Sequence, residues 1–276
     1  MVFQCGKFRL SLERPLIMGV VNITPDSFSD GGRFATAHAA ATHARRLIDE
    51  GADIIDLGGE STRPGSQSVM LDDERRRVLP VLEQLAGTTV PISIDTQKPE
   101  LMQEAIAAGA AMINDINSLQ AAGALAVIAD SDAAVCLMHK QGTPADMQIA
   151  PHYHDVVKEV ADFLGERVRS AHAAGIDAAR IAVDPGFGFG KTLAHNLELL
   201  RGLDRLRAIG ATLLVGVSRK SMLGAITGRD VGERVSASIA AALIAVEKGA
   251  RIVRAHDVAA TRDALAVWTA VNDANK

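Results

Sequence analysis

LIMGVVNITPDSFSDGG, residues 16 to 32, sets how the whole chain is read. Leu16-Ile17-Met18-Gly19-Val20-Val21 is an unbroken apolar run, the pattern of a strand covered on both faces, as in a parallel sheet. The run stops at Asn22, and Thr24, Pro25, Asp26, Ser27, Ser29, Asp30, Gly31 and Gly32 are turn formers that cannot prolong it. Asn22 is therefore expected where a buried strand meets solvent, with a polar loop carrying one aromatic, Phe28, beyond it. Taken alone, a surface crossover would read the same way, so the weight falls on whether the pattern recurs.

It recurs along the chain. Before it, residues 1 to 15 alternate Val2, Phe3, Phe8, Leu10 and Leu12 around Gly6-Lys7, a short hairpin expected to plug the base of the domain. After it come strands near residues 54–58, 91–95, 112–115, 134–139, 181–184, 213–218 and 252–256. Helical periodicity lies between them near 37–50, 71–85 with a kink expected at Pro80, 100–108, 122–130, 155–174, 193–208 and 232–248, with a last helix near 258–271. About eight strand-then-helix units without a linker match a (β/α)8 TIM barrel with a short N-terminal β-hairpin, a single α/β domain over residues 1–276.

Composition limits the function classes. The 276 residues are 48% hydrophobic and carry a net charge of −4, which suits one large core and argues against a general nucleic-acid or anionic-membrane surface while leaving a local basic pocket open. Cys5 and Cys136 have no metal-ligand spacing and are expected to be reduced thiols of a cytoplasmic protein. MVFQCGKFRL lacks the apolar core of a signal peptide, and the most apolar helical run, Ile239 to Val246, falls well short of a membrane span. No nucleic-acid or membrane partner is expected.

The polar residues fall in one place in each unit. Apolar runs end in Asn22, Asp56, Asp95, Asn114 with Asp115, His139, Asp184, Ser218 before Arg219-Lys220, and Arg254 with His256. One Asp after a strand is ordinarily a helix N-cap, but in a parallel barrel all of these ends converge on the face where active sites are built. Asp56, Asp95, Asn114, Asp184 and Lys220 form a set rich in acceptors, which Lys220 and Arg254 cannot fully neutralise. Either a structural ion-pair network fills the barrel mouth, or a flat heterocycle with a guanidine-like edge supplies the donors. Arg63 in GESTRPG, Arg254 and His256, with Lys220 and Ser221 nearby and Asn22 opposite, form a basic set suited to a di-anionic phosphate and a hard metal ion.

Three other stretches invite chemistry and are set aside. GFGFGKT, residues 186–192, imitates a phosphate loop, but that motif needs glycine at Pro185. Its Phe187 and Phe189 alternate with glycines, which lets two aromatics approach a flat ligand closely. His152-Tyr153-His154 lacks further ligands at metal-binding spacing, and Arg75-Arg76-Arg77 reads as a solvated helix face.

MGVVNITPDSFSDGG (18–32), DLGGESTRPGS (56–66), SIDT (93–96), INDI (113–116), MHKQGTP (138–144), DPGFGFGKTLAHN (184–196), VGVSRKSMLG (215–224) and RAHD (254–257) resemble, in order and spacing, the dihydropteroate synthase family of pterin-binding barrels. The resemblance covers essentially the whole chain. It implies condensation of 6-hydroxymethyl-7,8-dihydropterin diphosphate with 4-aminobenzoate to dihydropteroate and diphosphate, a step of folate biosynthesis. It further implies a pterin pocket of Asp56, Asp95, Asn114, Met138, Asp184, Phe189, Gly216 and Lys220. The diphosphate would meet Asn22, Arg63, Arg254 and His256, with Mg2+ as cofactor and Asn22 as its protein ligand. Phe28, Thr62, Arg63, Pro64, Phe187 and Ser221 would shape the aminobenzoate site, which sulfonamides would also occupy. Asp95, Lys220, Arg254 and His256 would carry the chemistry. An arylamine is a weak nucleophile and no Ser, Cys or Lys is paired with a base for covalent catalysis, so a dissociative route is expected. The other readings are a pterin-dependent methyltransferase domain, which would not need the anion site, and a catalytically silent pterin-binding paralogue. The Ala- and Ser-rich segment Val235 to Ala245 is expected to pack against a second copy in a homodimer.

Overall fold

The computed structural model describes residues 1–23, 32–61, 66, 68–143 and 146–272, with residues 32–35 described in backbone only. Strands β1 (Val2–Cys5) and β2 (Phe8–Ser11) form an antiparallel hairpin. The chain then runs β3 (Leu16–Asn22), α1 (Gly32–Asp49), β4 (Ile54–Gly58), α2 (Leu71–Gln84), β5 (Ile92–Asp95), α3 (Pro99–Ala107), β6 (Met112–Asp115), α4 (Ala124–Ala129) and β7 (Ala134–Met138). It continues α5 (Val156–Ala173), β8 (Ile181–Asp184), α6 (Leu193–Arg201), β9 (Thr212–Val215), α7 (Ser221–Thr227), α8 (Val235–Glu247), β10 (Ile252–Ala255) and α9 (Val258–Asn272). The eight strands β3 to β10 close in sequence order, with β10 pairing β3, into a parallel barrel.

Alternation along each strand sorts the side chains. Ile17, Val21, Ile55, Leu57, Ile94, Ile113, Val183 and Val253 face the helices and join one large outer core. Leu16, Met18, Ile54, Met112, Ala134, Cys136, Ala182, Leu214 and Ile252 face inward and pack against Phe3, Cys5 and Leu12, so the hairpin closes the barrel base as expected. Two residues further along each strand, the same inward face carries Asp56, Ser93, Asn114, Asp184 and Arg254. The apolar plug at one end therefore fixes the register of the polar face at the other.

Some boundaries differ from expectation. α1 starts at Gly32, ahead of the expected Ala37, and α2 continues through Pro80. The helix expected over residues 193–208 ends at Arg201, and Leu203–Ile209 turns as a 3-10 helix after Gly202, whose Cβ would stand 3.0 Å from Val157 Cγ2. β9 stops at Val215, short of the expected residue 218, and beyond it Arg219 takes a left-handed conformation (φ 58) with its N–H donating to Ser238 Oγ at 2.9 Å. That turn starts α7, which sequence periodicity did not separate from the loop. No helix among the described residues is long and apolar enough to cross a membrane.

Candidate active site

The acidic set gathers at the carboxyl ends of β4, β5, β6 and β8. Asp56 is fully buried, and Asp95, Asn114 and Asp184 are nearly so. Asp56 Oδ2 accepts from Asn114 Nδ2 at 3.1 Å and from Arg254 Nε at 2.7 Å, and Arg254 Nη2 reaches Asp95 Oδ2 at 3.0 Å. Asp56 Oδ1 and the Ser93 hydroxyl, neighbours in the β4–β5 register, are buried without a protein hydrogen-bond partner among the described residues. Among the described residues acceptor capacity thus exceeds donors, the condition under which a buried polar site favours a ligand with N–H groups.

Charge is balanced unevenly. Burial pushes the Asp95 carboxyl above the ordinary carboxylate range, and Asp56 adds to this against the guanidinium of Arg254. Burial alone would lower the Arg254 pKa, but Asp56 and Asp95 more than reverse that and hold it charged. Asp184 is raised by burial too, partly offset by the Gly186 N–H it accepts at 2.7 Å and by the charges of Lys220 and Arg254.

Arg254 therefore stands in the acidic pocket as well as at the basic rim. Both expectations for it, partial counter-charge of the acids and member of the basic rim, follow from strand alternation: Ile252 and Arg254 share the inward face, which brings Arg254 level with Asp56. His256, two residues on, sits at the rim, with Ser218 Oγ 3.0 Å from its Nδ1. Asn22 ends the neighbouring strand β3, close to the acids: a Cβ on Gly58 would stand 3.9 Å from Asn22 Oδ1 and 3.7 Å from Asp95 Cβ. A groove of about 560 Å3 leads outward from Asn22 and His256 past His43, Arg46 and Arg219. Arg219 is held there by a bidentate pair with Asp257 at 2.6 and 3.0 Å.

The β8–α6 loop forms one wall. Lys220 Nζ lies 4.2 Å from the centre of the Phe189 ring, a cation–π contact. Gly216 leaves room beside Asp184: a Cβ there would stand 3.7 Å from Asp184 Oδ2 and 3.9 Å from Arg254 Cβ. Met138 pairs in register with Asp184 and lines the same level. Phe187 corrects its expected role as an aminobenzoate wall, because it is fully buried in the outer core and presents no surface to a ligand. Ser221 opens α7 and is exposed beside Lys220.

Two strand-end groups turn away from the barrel interior. Asp115 accepts from the N–H groups of Asn117 and Leu119, both at 2.7 Å, and so ties down the loop after β6. His139 meets Lys191 behind the β8–α6 loop. Alternation carries the signal for both, since each is one residue past an inward-facing neighbour.

Phe28, Thr62, Arg63 and Pro64 lie outside the described residues. The foot of the loop carrying the last three is anchored: Lys98 Nζ bonds both Glu60 and Glu74, and Arg77 Nη1 donates to the Gly59 carbonyl at 2.7 Å. Among the described residues, no three His, Cys, Asp or Glu side chains cluster as a metal cage.

Comparison with known proteins adds an independent line. A model of the family described as pterin binding enzyme matches residues 18–256. A dihydropteroate synthase of Neisseria meningitidis serogroup C is 52% identical over 275 residues, covering 98% of this chain and 97% of that protein. The structure of Xanthomonas albilineans dihydropteroate synthase with 4-aminobenzoic acid superposes with a TM-score of 0.93 at 52% identity, covering 100% of this chain and 99% of the other. The Yersinia pestis dihydropteroate synthase structure with a sulfonamide drug complex gives 0.94 at 45% identity, covering 99% of this chain and 100% of the other.

Proposed function

The chain belongs to the pterin-binding enzyme family, and we propose that within it the chain is a dihydropteroate synthase. It would condense 6-hydroxymethyl-7,8-dihydropterin diphosphate with 4-aminobenzoate to 7,8-dihydropteroate and diphosphate in folate biosynthesis. The observation that carries this is the gathering of Asp56, Asp95, Asn114 and Asp184 at one barrel end, with more acceptors than donors, beneath a rim bearing Arg254, His256 and Asn22.

Asp184 and Asn114 hold the N–H edge of the pterin, each charged hydrogen bond to Asp184 contributing about 1.5 to 3 kcal/mol. Lys220, packed on Phe189, faces the pterin carbonyl. Asp95, buried beside Arg254, stabilises a cationic pterin through its ionised form, which that cation would favour in turn once the C–O bond to diphosphate breaks. Arg254 and His256, joined by Arg63, take the charge of the departing group. The aminobenzoate nitrogen then attacks the pterin methylene carbon and gives its proton to solvent. A dissociative route suits this arrangement, because the two developing charges meet opposite charges at the two ends of the site.

Asn22 offers a hard amide oxygen at the diphosphate end, a donor type suited to Mg2+. That ion, when bound, neutralises charge on the leaving group. By likeness to the Yersinia protein, sulfonamides would compete with aminobenzoate beside Ser221. Exposed Ile244 on α8 and Val267 on α9 favour a homodimer through that side, and the two buried, unbridged cysteines suit the cytoplasm.

The test is turnover of the purified chain with pterin diphosphate, aminobenzoate and Mg2+, followed by chromatography of the pterins and measurement of free diphosphate. Dihydropteroate and diphosphate should appear in equal amounts. A silent paralogue or a methyltransferase domain would release neither.

A further inference from the structure

The glycine-rich stretch that imitates a phosphate loop keeps its lysine inside. Lys191 is only 2% exposed, and no carboxylate forms an ion pair with it among the described residues. Its Nζ instead donates to the carbonyls of Gly186 and Phe189, at 3.0 and 3.1 Å, and lies 3.0 Å from His139 Nδ1. Burial lowers the His139 pKa to about 3, so the ring is neutral and offers Nδ1 as an acceptor. All three ammonium hydrogens are thereby used, two of them on the loop itself.

The loop is shaped to wrap this group. Gly186 and Gly190 have φ of +67 and +62, and Cβ atoms there would fall 1.9 Å from the His139 carbonyl oxygen and 2.4 Å from that of Gln141. Tyr153 Oη donates to the Gly190 carbonyl at 2.8 Å. The same turn presents the Gly186 N–H to Asp184 and the Phe189 ring to Lys220. Lys191 therefore bonds the carbonyls of the same two residues, Gly186 and Phe189, whose N–H and ring meet Asp184 and Lys220.

We propose that Lys191 is a positioning residue of the pterin pocket, its buried ammonium holding the Gly186 and Phe189 carbonyls so that Asp184 and the Phe189–Lys220 pair keep their places. This rests on the pterin reading above and deepens it. Burial also lowers the Lys191 pKa to about 7, with Asp184 opposing the shift and Lys220 adding to it, consistent with a group whose place is set by geometry in spite of its charge.

Calorimetry with 6-hydroxymethylpterin on the full chain tests it, comparing wild type with Lys191→Met and Lys191→Gln. Lys191→Met removes every donor at similar length and should weaken pterin affinity about tenfold or more, while KM for aminobenzoate at saturating pterin diphosphate changes by less than about twofold. Lys191→Gln keeps two N–H donors and should recover part of the loss. Pterin affinity within twofold of wild type in Lys191→Met overturns the proposal, as do equal losses for both substrates, which would mark a general structural role. Should Lys191→Met not fold, unchanged pterin affinity in Lys191→Gln, whose amide is too short to reach both carbonyls, overturns it equally. Wild type that does not bind the pterin would remove the underlying reading as well, an outcome distinct from variants that match a binding wild type.

Discussion

Replacing Arg254 with leucine should cost stability in a way that depends on pH. Arg254 is bonded to Asp56, which is fully buried, and to Asp95, which is 8% exposed. Removing one partner of a buried ion pair costs about 3 to 5 kcal/mol, because the other charge remains desolvated. Two features pull toward the lower end here: Asn114 keeps its 3.1 Å bond to Asp56, and Asp95 is already disposed to hold a proton. We therefore expect a loss of about 3 kcal/mol near pH 8. Without the guanidinium the folded-state pKa of Asp95 rises further above the unfolded value. Folded protein then binds more protons than unfolded, so the contribution to stability is present at low pH and lost as pH rises through the raised pKa. The deficit of the variant should accordingly be smaller at about pH 5.5 than at about pH 8. Urea denaturation of both proteins at the two pH values measures this. A deficit below about 1 kcal/mol near pH 8, or one equal at both pH values, would refute the assignment of Arg254 as the counter-charge of this pocket.

Asp184→Asn should lower affinity for hydroxymethyl pterin by about tenfold or more with the fold intact, because an amide must turn one N–H2 toward a donor edge. Calorimetry checks it, and an affinity within twofold of wild type would remove Asp184 from the pocket. Sulfonamides should bind appreciably only with diphosphate and Mg2+ present, since on the proposed assignment Asn22 and Arg63 would join the bound anion to the aminobenzoate site. Equal affinity in titrations with and without diphosphate would show that no such coupling exists.

How much of the site could be read from the chain depends on which face each residue takes. Asp56, Asp95, Asn114 and Asp184 were legible because each interrupts or ends an apolar run in a fold that brings strand ends together. Asp115 and His139 ended such runs equally well but face outward, and only counting by twos from Met112 and Met138 separates them. The same count places Arg254 among the acids. Phe187 was misplaced because alternation with glycine does not say which of two aromatics turns to the core, and the three left-handed glycines that decide it are a tertiary matter. Lys191 was hidden by its motif. A lysine after GFGFG invites an anion, and only its contacts with its own loop carbonyls show otherwise.

The division of the site into an acidic pocket and a basic rim is tested most directly at His256, which lies at the rim with its Nδ1 3.0 Å from Ser218 Oγ. Affinity for hydroxymethyl pterin and kcat/KM for its diphosphate are to be measured side by side in wild type and His256→Ala. The pterin alcohol should bind within about twofold of wild type while kcat/KM falls about tenfold or more, because His256 meets only the leaving group. Equal losses for the two ligands would place His256 in the pterin pocket and contradict the division.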